Sequence, residues 1–347
     1  MKIFQCGHCD HSVFFENYTC ENCGHLSGFR DQDRTMLTFK PHSDSLVSDR
    51  ESITYKYCKN KEYNVCNWII EKSDPEEFCQ ACQLNRTIPN LSDIENFEKW
   101  RHLEIAKHRL IYQLQKIGLP LPSKMKVEEG LCFDFVAQQN NPDLMTGHNN
   151  GVITILLREA DLAHRERIRK EFSEPYRTLI GHLRHEVGHY FWDRLVKTDQ
   201  NVLKDFRAIF GNEETDYADA LKNHYKQGAP NNWQKSFISA YATSHPWEDW
   251  AETWAHYLHI MDMVETAYFF GVNVKPIGIN KEKMTKVSFD PYTIEDFDVI
   301  VRTCVPLSFA VNSINRAMGV ADVYPFVITP NVIDKLKFIH RLLLPKR

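Results

Sequence analysis

Apolar residues recur at helical spacing in two long stretches. Phe97, Trp100, Leu103, Ile105, Leu110, Ile111 and Leu114 predict a helix from about Ile94 to Ile117. Leu91-Ser92-Asp93 offers its N-cap, and Gly118-Leu119-Pro120-Leu121-Pro122 ends it. Leu179, Leu183, Val187 and Phe191 mark a second helix, with Pro175 near its start and Val196 near its end. Between them, Glu159 to Phe172 reads as a charged helix. Leu131–Ala137 and Gly151–Leu156 read as strands, the latter after the turn residues His148-Asn149-Asn150. From Asp199 onward the pattern is helices and loops. There is no internal repeat and no low-complexity tract.

The first ninety residues lack such periods. They are rich in turn residues and end in a linker-like run, Leu84 to Asn90. A chain of 347 residues exceeds one average domain. The expected division is therefore 1–90 and 91–347, and the expected class is α+β: a small cysteine-rich domain, then a mainly helical domain with a small sheet. With 43% hydrophobic and 25% charged residues, composition excludes wholesale disorder and a rod. A net charge of -4 argues against an electrostatically driven nucleic-acid binder. No uncharged apolar run reaches membrane-spanning length, and none follows Met1. The expected location is the cytoplasm, without membrane contact. Thiols are kept reduced there, so paired cysteines read as metal ligands.

Eight of the ten cysteines lie in the first 82 residues. Cys6-x2-Cys9 and Cys20-x2-Cys23 form two CxxC units. Each can turn two thiolates to one side of a knuckle, and two knuckles complete a zinc tetrahedron. Gly7 and Gly24 suit such turns. Phe14, Phe15 and Tyr18 supply strand character between the knuckles. His8, His11 and His25 are nearby alternative ligands. Cys58, Cys66, Cys79 and Cys82 contain one standard and one loose spacing. They read either as a second zinc site or as one knuckle with two unrelated cysteines. A segment this small would draw folding energy from metal. Cys132 and Cys304 read as buried thiols.

His185-Glu186-Val187-Gly188-His189 carries a different chemistry. Two histidines four apart on a helix share one face and can bind one metal, while Glu186 can take a proton from the water that the metal activates. A catalytic zinc needs a third ligand. The stretch His245-Pro246-Trp247-Glu248-Asp249-Trp250-Ala251-Glu252 offers Glu248 as that ligand. Glu252 would then hold a histidine's distal N–H. The reverse assignment stays open. Tyr241 and His245 are the candidate donors to an oxyanion. Trp233, Trp247, Trp250 and Trp254 read as packing behind the site.

These residues resemble the gluzincin branch of zinc metallopeptidases, with its histidine pair and downstream glutamate ligand. More closely, a zinc ribbon joined to this core resembles a bacterial family of zinc-binding metallopeptidases over nearly the whole chain. The resemblance implies peptide hydrolysis with one catalytic zinc and one or two structural zincs. It also implies that the strand at Val152–Leu156 belongs to an active-site sheet whose edge takes extended substrate. The motif around Glu248 departs from the Asn-Glu-x-x-Ser-Asp form of thermolysin-like enzymes. Two other classes are a non-catalytic zinc-binding regulatory protein and a DNA-associated protease. Residues 1–90 carry 10 basic and 13 acidic side chains. A protein partner therefore suits the ribbon better than nucleic acid. The basic run from Lys335 to Arg347 reads as a helix with a solvated face.

Overall fold

The computed structural model describes residues 2–41, 46–48, 53–137, 144–171, 177–277 and 284–344. By packing the chain forms two compact units, Met1–Asp161 and Leu162–Arg347.

The first unit begins with a two-stranded hairpin of β1 (Phe4–Gln5) and β2 (Ser12–Val13). A five-stranded sheet follows, made by β3 (Leu26–Arg30), β4 (Thr35–Phe39), β5 (Leu46–Val47), β6 (Thr54–Tyr57) and β7 (Trp68–Glu71), in the order β4-β3-β7-β6-β5. A second sheet takes β8 (Asn85–Thr87), β9 (Cys132–Val136), β10 (Gly147–Asn149) and β11 (Val152–Leu156), in the order β10-β11-β9-β8. Val152–Leu156 is thus an interior strand, parallel to β9. The hairpin into it turns on Asn150 and Gly151, both at positive φ, while His148 and Asn149 already belong to β10. Gly151 is required there: a Cβ would stand 2.2 Å from the Gly130 carbonyl oxygen.

Helix α1 (Ile94–Ile117) joins these sheets. Asp93 caps it by accepting from the amides of Glu95 and Asn96 at 2.9 and 3.2 Å, and Gly118 ends it at φ 84°. Tyr112 from its middle enters an aromatic core with Phe15, Phe29 and Trp68, at ring spacings of 4.8–5.8 Å. The buried face differs from the apolar pattern in one respect. Ile105 is only half-buried, whereas Glu104, Lys107 and His108 are buried.

The second unit is helical. It runs through α2 (Leu162–Glu171), α3 (Leu179–Leu195), α4 (Gln200–Phe210), α5 (Tyr217–Gln227) and α6 (Pro246–Phe269). A short hairpin, β12 (Asn273–Val274) with β13 (Thr285–Lys286), precedes α7 (Phe297–Ala317) and α8 (Pro330–Leu343). Glu159 lies in a 3-10 turn before α2, and Thr178 caps α3 through the Gly181 amide at 3.1 Å. The expected ends of these helices at Phe172 and Pro175 lie outside the described residues.

The centre of this unit is the crossing of α3 and α6. A Cβ on Gly188 would meet Trp254 at 3.1 Å and the Ala251 backbone at 3.2 Å. The Gly188 carbonyl accepts from Trp250 Nε1 at 2.8 Å, and Phe191 stacks on Trp254. Trp250 also meets Phe206, Phe210 and Phe338 edge-on, so α4 and α8 join the same core. Lys335 departs from the solvated-face expectation. It is buried, and its Nζ meets Asp249 Oδ2 at 2.6 Å. Helix α7 is long and apolar enough to span a membrane by length and composition. Its Ile300, Val301, Cys304 and Leu307 are buried, while Phe309 and Ile314 in its second half are exposed.

Gly188→Val should force α3 and α6 apart and lower stability by about 1–3 kcal/mol. Urea unfolding of the chelator-treated protein measures this, and an unchanged midpoint would refute the close-contact role.

Candidate metal centres

Cys6, Cys9, Cys20 and Cys23 bring their sulfurs within 4.8 Å of one another. Two of the spacings, Cys6–Cys23 and Cys9–Cys20, are 3.6 Å. A tetrahedral zinc with Zn–S of about 2.3 Å sets edges of about 3.8 Å, so the donors fit. The knuckles are backbone-built. Cys6 N donates to His11 O at 2.8 Å and Cys20 N to His25 O at 2.8 Å. Gly24 closes the second knuckle at φ 71°, but in the first the left-handed residue is Asp10 at φ 58°, not Gly7. Gly7 instead donates its amide to Thr38 Oγ1 at 2.8 Å. The donor group consists of the four cysteines without His8, His11 or His25, and the rings of His8 and His25 stack on each other.

Cys58, Cys66, Cys79 and Cys82 form a second such group, all buried, with Cys66 and Cys79 sulfurs 3.6 Å apart. Their irregular spacing has a local cause. A 3-10 turn, Lys59–Tyr63, fills the gap between Cys58 and Cys66 and ends on left-handed Asn64. This brings both thiols to the ends of β6 and β7. Cys132 and Cys304 stand apart from both groups. Burial raises both thiols, that of Cys304 to about 12.

In the helical unit, α3 presents His185 and His189 and α6 presents Glu248. The three donor atoms converge. His185 Nε2 lies 3.2 Å from His189 Nε2 and 3.0 Å from Glu248 Oε2, and the third edge is 3.5 Å. Zinc bonded to N and O at about 2.0–2.1 Å needs edges of about 3.3–3.4 Å. Glu248 Oε2 is buried and makes no hydrogen bond. A buried carboxylate oxygen facing two imidazole nitrogens calls for a cation between them.

The electrostatics agree. Burial opposes charge on His185, but Glu248 and Glu252 beside it raise its pKa well above the usual range. Burial likewise opposes ionisation of Glu248, yet His189 and His185 hold its pKa well below normal. Glu252 Oε1 meets His185 Nδ1 at 2.7 Å, which leaves Nε2 to face Glu248. Burial is again outweighed, and His185 lowers Glu252 to about 2. Trp247 lies against His189 with ring centroids 3.7 Å apart, while Trp250 and Trp254 are fully buried core.

Glu186 is buried one position along α3 from His185, with its carboxylate 3.8 Å from His182 Nε2. Its charge, with that of Glu248, contributes to raising Tyr217 and Tyr241, chiefly raised by burial. Tyr241 packs 5.9 Å from the His185 ring. His245 is committed elsewhere. Its Nδ1 accepts from the Trp247 amide at 3.1 Å as N-cap of α6, and its Nε2 donates to Thr215 O at 3.0 Å. With both nitrogens used by the fold, it is not offered as a donor to an oxyanion. Tyr217, which the sequence did not single out, donates to Glu248 Oε1 at 2.7 Å. It lies 31 positions before Glu248 at the start of a largely exposed helix, so no local pattern marks it.

Comparison with known proteins agrees with this architecture. Residues 96–342 match the family described as "Putative zinc-binding metallo-peptidase", and residues 3–93 match a zinc-ribbon domain family. The chain belongs to this zinc-binding metallopeptidase family and carries its N-terminal zinc ribbon. Uncharacterized proteins from Mycobacterium bovis and from two strains of Mycobacterium tuberculosis are 36% identical to it over 341 residues, covering 98% of this chain and 94% of theirs. No solved structure matches.

Glu252→Ala should weaken metal binding at the His185–His189–Glu248 group by about 10- to 100-fold while the cysteine groups keep theirs. Chelator competition on the full chain distinguishes the two, and an unchanged affinity would remove Glu252 from the site.

Proposed function

We propose that the chain hydrolyses peptide bonds at a zinc held by His185, His189 and Glu248, with Glu186 as general base. The observation that carries this reading is the convergence of those three donor atoms at tetrahedral spacing, the Glu248 oxygen among them being buried and without a hydrogen bond. Zinc there would supply a Lewis acid for the scissile carbonyl and bring a water's pKa near neutrality.

The protein's own side chains do the rest. Glu186 takes the proton of the attacking water and returns it to the leaving amine. Glu252 keeps His185 in the tautomer whose Nε2 faces the metal. Tyr217 holds Glu248 through the oxygen that does not face the histidines. Tyr241, beside His185, is the donor to the developing oxyanion. A purely structural zinc has no use for a buried carboxylate at position 186, which favours an enzyme over a binding protein. The substrate is a peptide or protein. With acidic side chains exceeding basic ones in residues 1–90, the ribbon takes a protein partner rather than DNA.

Glu186→Gln should keep the zinc content and lose about 10²- to 10⁴-fold in hydrolysis of a peptide library. An unmodified, zinc-loaded protein that cleaves no member of the library would point instead to the non-catalytic zinc-binding class. Tight DNA association at low salt would reverse the choice of partner.

A further inference from the structure

One face of α1 carries a group of buried polar side chains that the proposed hydrolysis does not use. Glu104, Lys107 and His108 lie at positions i, i+3 and i+4, and the first two are fully buried. Glu104 and His108 turn toward Cys82, and Lys107 meets Glu104. His108 Nε2 is 3.5 Å from Cys82 Sγ, and its Nδ1 donates to the Glu104 carbonyl at 2.8 Å. Glu104 Oε1 is 3.6 Å from the same sulfur. Lys107 Nζ is 2.7 Å from Glu104 Oε1 and also donates to Asn85 Oδ1, while Asn85 Nδ2 donates back to Glu104 at 3.1 and 3.2 Å. The rings of Phe133 and Phe135 lie 5.8 and 5.9 Å from the ammonium.

Cys82, Glu104 and His108 by themselves have the donors of a further metal site. Lys107 decides against it, because its ammonium already supplies the cation beside Glu104. The charges make sense instead around the four cysteines. A divalent ion with four thiolates carries a net charge of −2, and a carboxylate 3.6 Å from one of those sulfurs adds to it. Without a cation this arrangement would repel itself inside the unit. Lys107 offsets that charge, and His108 lies 3.5 Å from the Cys82 sulfur; both come from α1.

We propose that Cys58, Cys66, Cys79 and Cys82 bind zinc as a latch for helix α1, with Lys107 and His108 as the outer layer that makes the buried tetrathiolate tolerable. The cysteines lie in the stretch matched by the zinc-ribbon family, and α1 lies almost wholly in the stretch matched by the metallopeptidase family. Occupancy of this centre and seating of α1 are then one linked equilibrium. The metal helps hold the first helix of the metallopeptidase segment in place, and its loss releases that helix. This does not depend on the hydrolytic reading.

The test uses the full chain and reads metal and amide exchange, not activity. Cys79→Ser should lose one zinc equivalent and the exchange protection of α1 around Leu103–Leu114. Cys20→Ser should lose one equivalent at the other cysteine group and keep that protection. Lys107→Met should bind zinc about 10- to 100-fold more weakly at this centre. Adding Glu104→Gln to it should restore most of the loss by removing the bare carboxylate. Protection of α1 that survives in Cys79→Ser would overturn the latch. Wild-type affinity in Lys107→Met, or no recovery in the double variant, would overturn the charge argument.

Discussion

Helices α3 and α6 approach so closely at Gly188 that even a Cβ there would press on Trp254 and the Ala251 backbone. That contact sets the geometry of the helical unit. It lets Trp250 donate to a carbonyl of α3 and lets Trp254 stack on Phe191. It also brings one turn of α3, carrying His185 and His189, against the first turns of α6, carrying Glu248 and Glu252. Donor spacings of 3.0–3.5 Å between two helices leave little room for error. The glycine costs about 1 kcal/mol of helix propensity against alanine, and what it permits is the distance between the helices.

Buried charge is organised around the same crossing. Asp249, next to Glu248, is pushed up to about 7 by burial even with Lys335 at 2.6 Å to oppose it. Arg184, next to His185, reaches Asp262 at 2.7 Å. Such buried pairs contribute little net stability compared with apolar packing. Their effect is to fix which way neighbouring positions face. With Arg184 and Asp249 tied to their partners, His185 and Glu248 are presented to each other.

The first unit solves a different problem. Its strands are only two to five residues long, yet they bury large apolar side chains, Phe29, Phe39, Trp68, Phe133 and Phe135 among them. Two four-cysteine groups add to this apolar packing, and metal bound there would contribute folding energy, as in small cysteine-rich domains. Helix α1 completes this unit with Tyr112 on the aromatic cluster and a charged face on the second cysteine group. Packing therefore places α1 with the ribbon, while sequence similarity places it with the metallopeptidase segment.

The helices α1 and α3 were legible because apolar spacing and caps are local properties. The reading of about Ile94 to Ile117 matches α1, since Asp93 and Gly118 stop the helix by short-range hydrogen bonding. Paired cysteines and His185-Glu186-x-x-His189 were legible for the same reason: their ligand geometry is contained in a turn or in one helix face. Other features were not local. Tyr217 and Lys335 meet their partners across dozens of residues. Lys107 carries no local signal, since charge on a helix is usually solvated, and only Glu104 and Asn85 beside it give it a reason to be buried. His245 looked available because the sequence cannot show that both its nitrogens are used as a cap and a loop tie. The sequence by itself determined which residues have the chemistry to bind metal. The tertiary structure decided which of their free atoms face one another, because that depends on contacts between segments that no local pattern encodes.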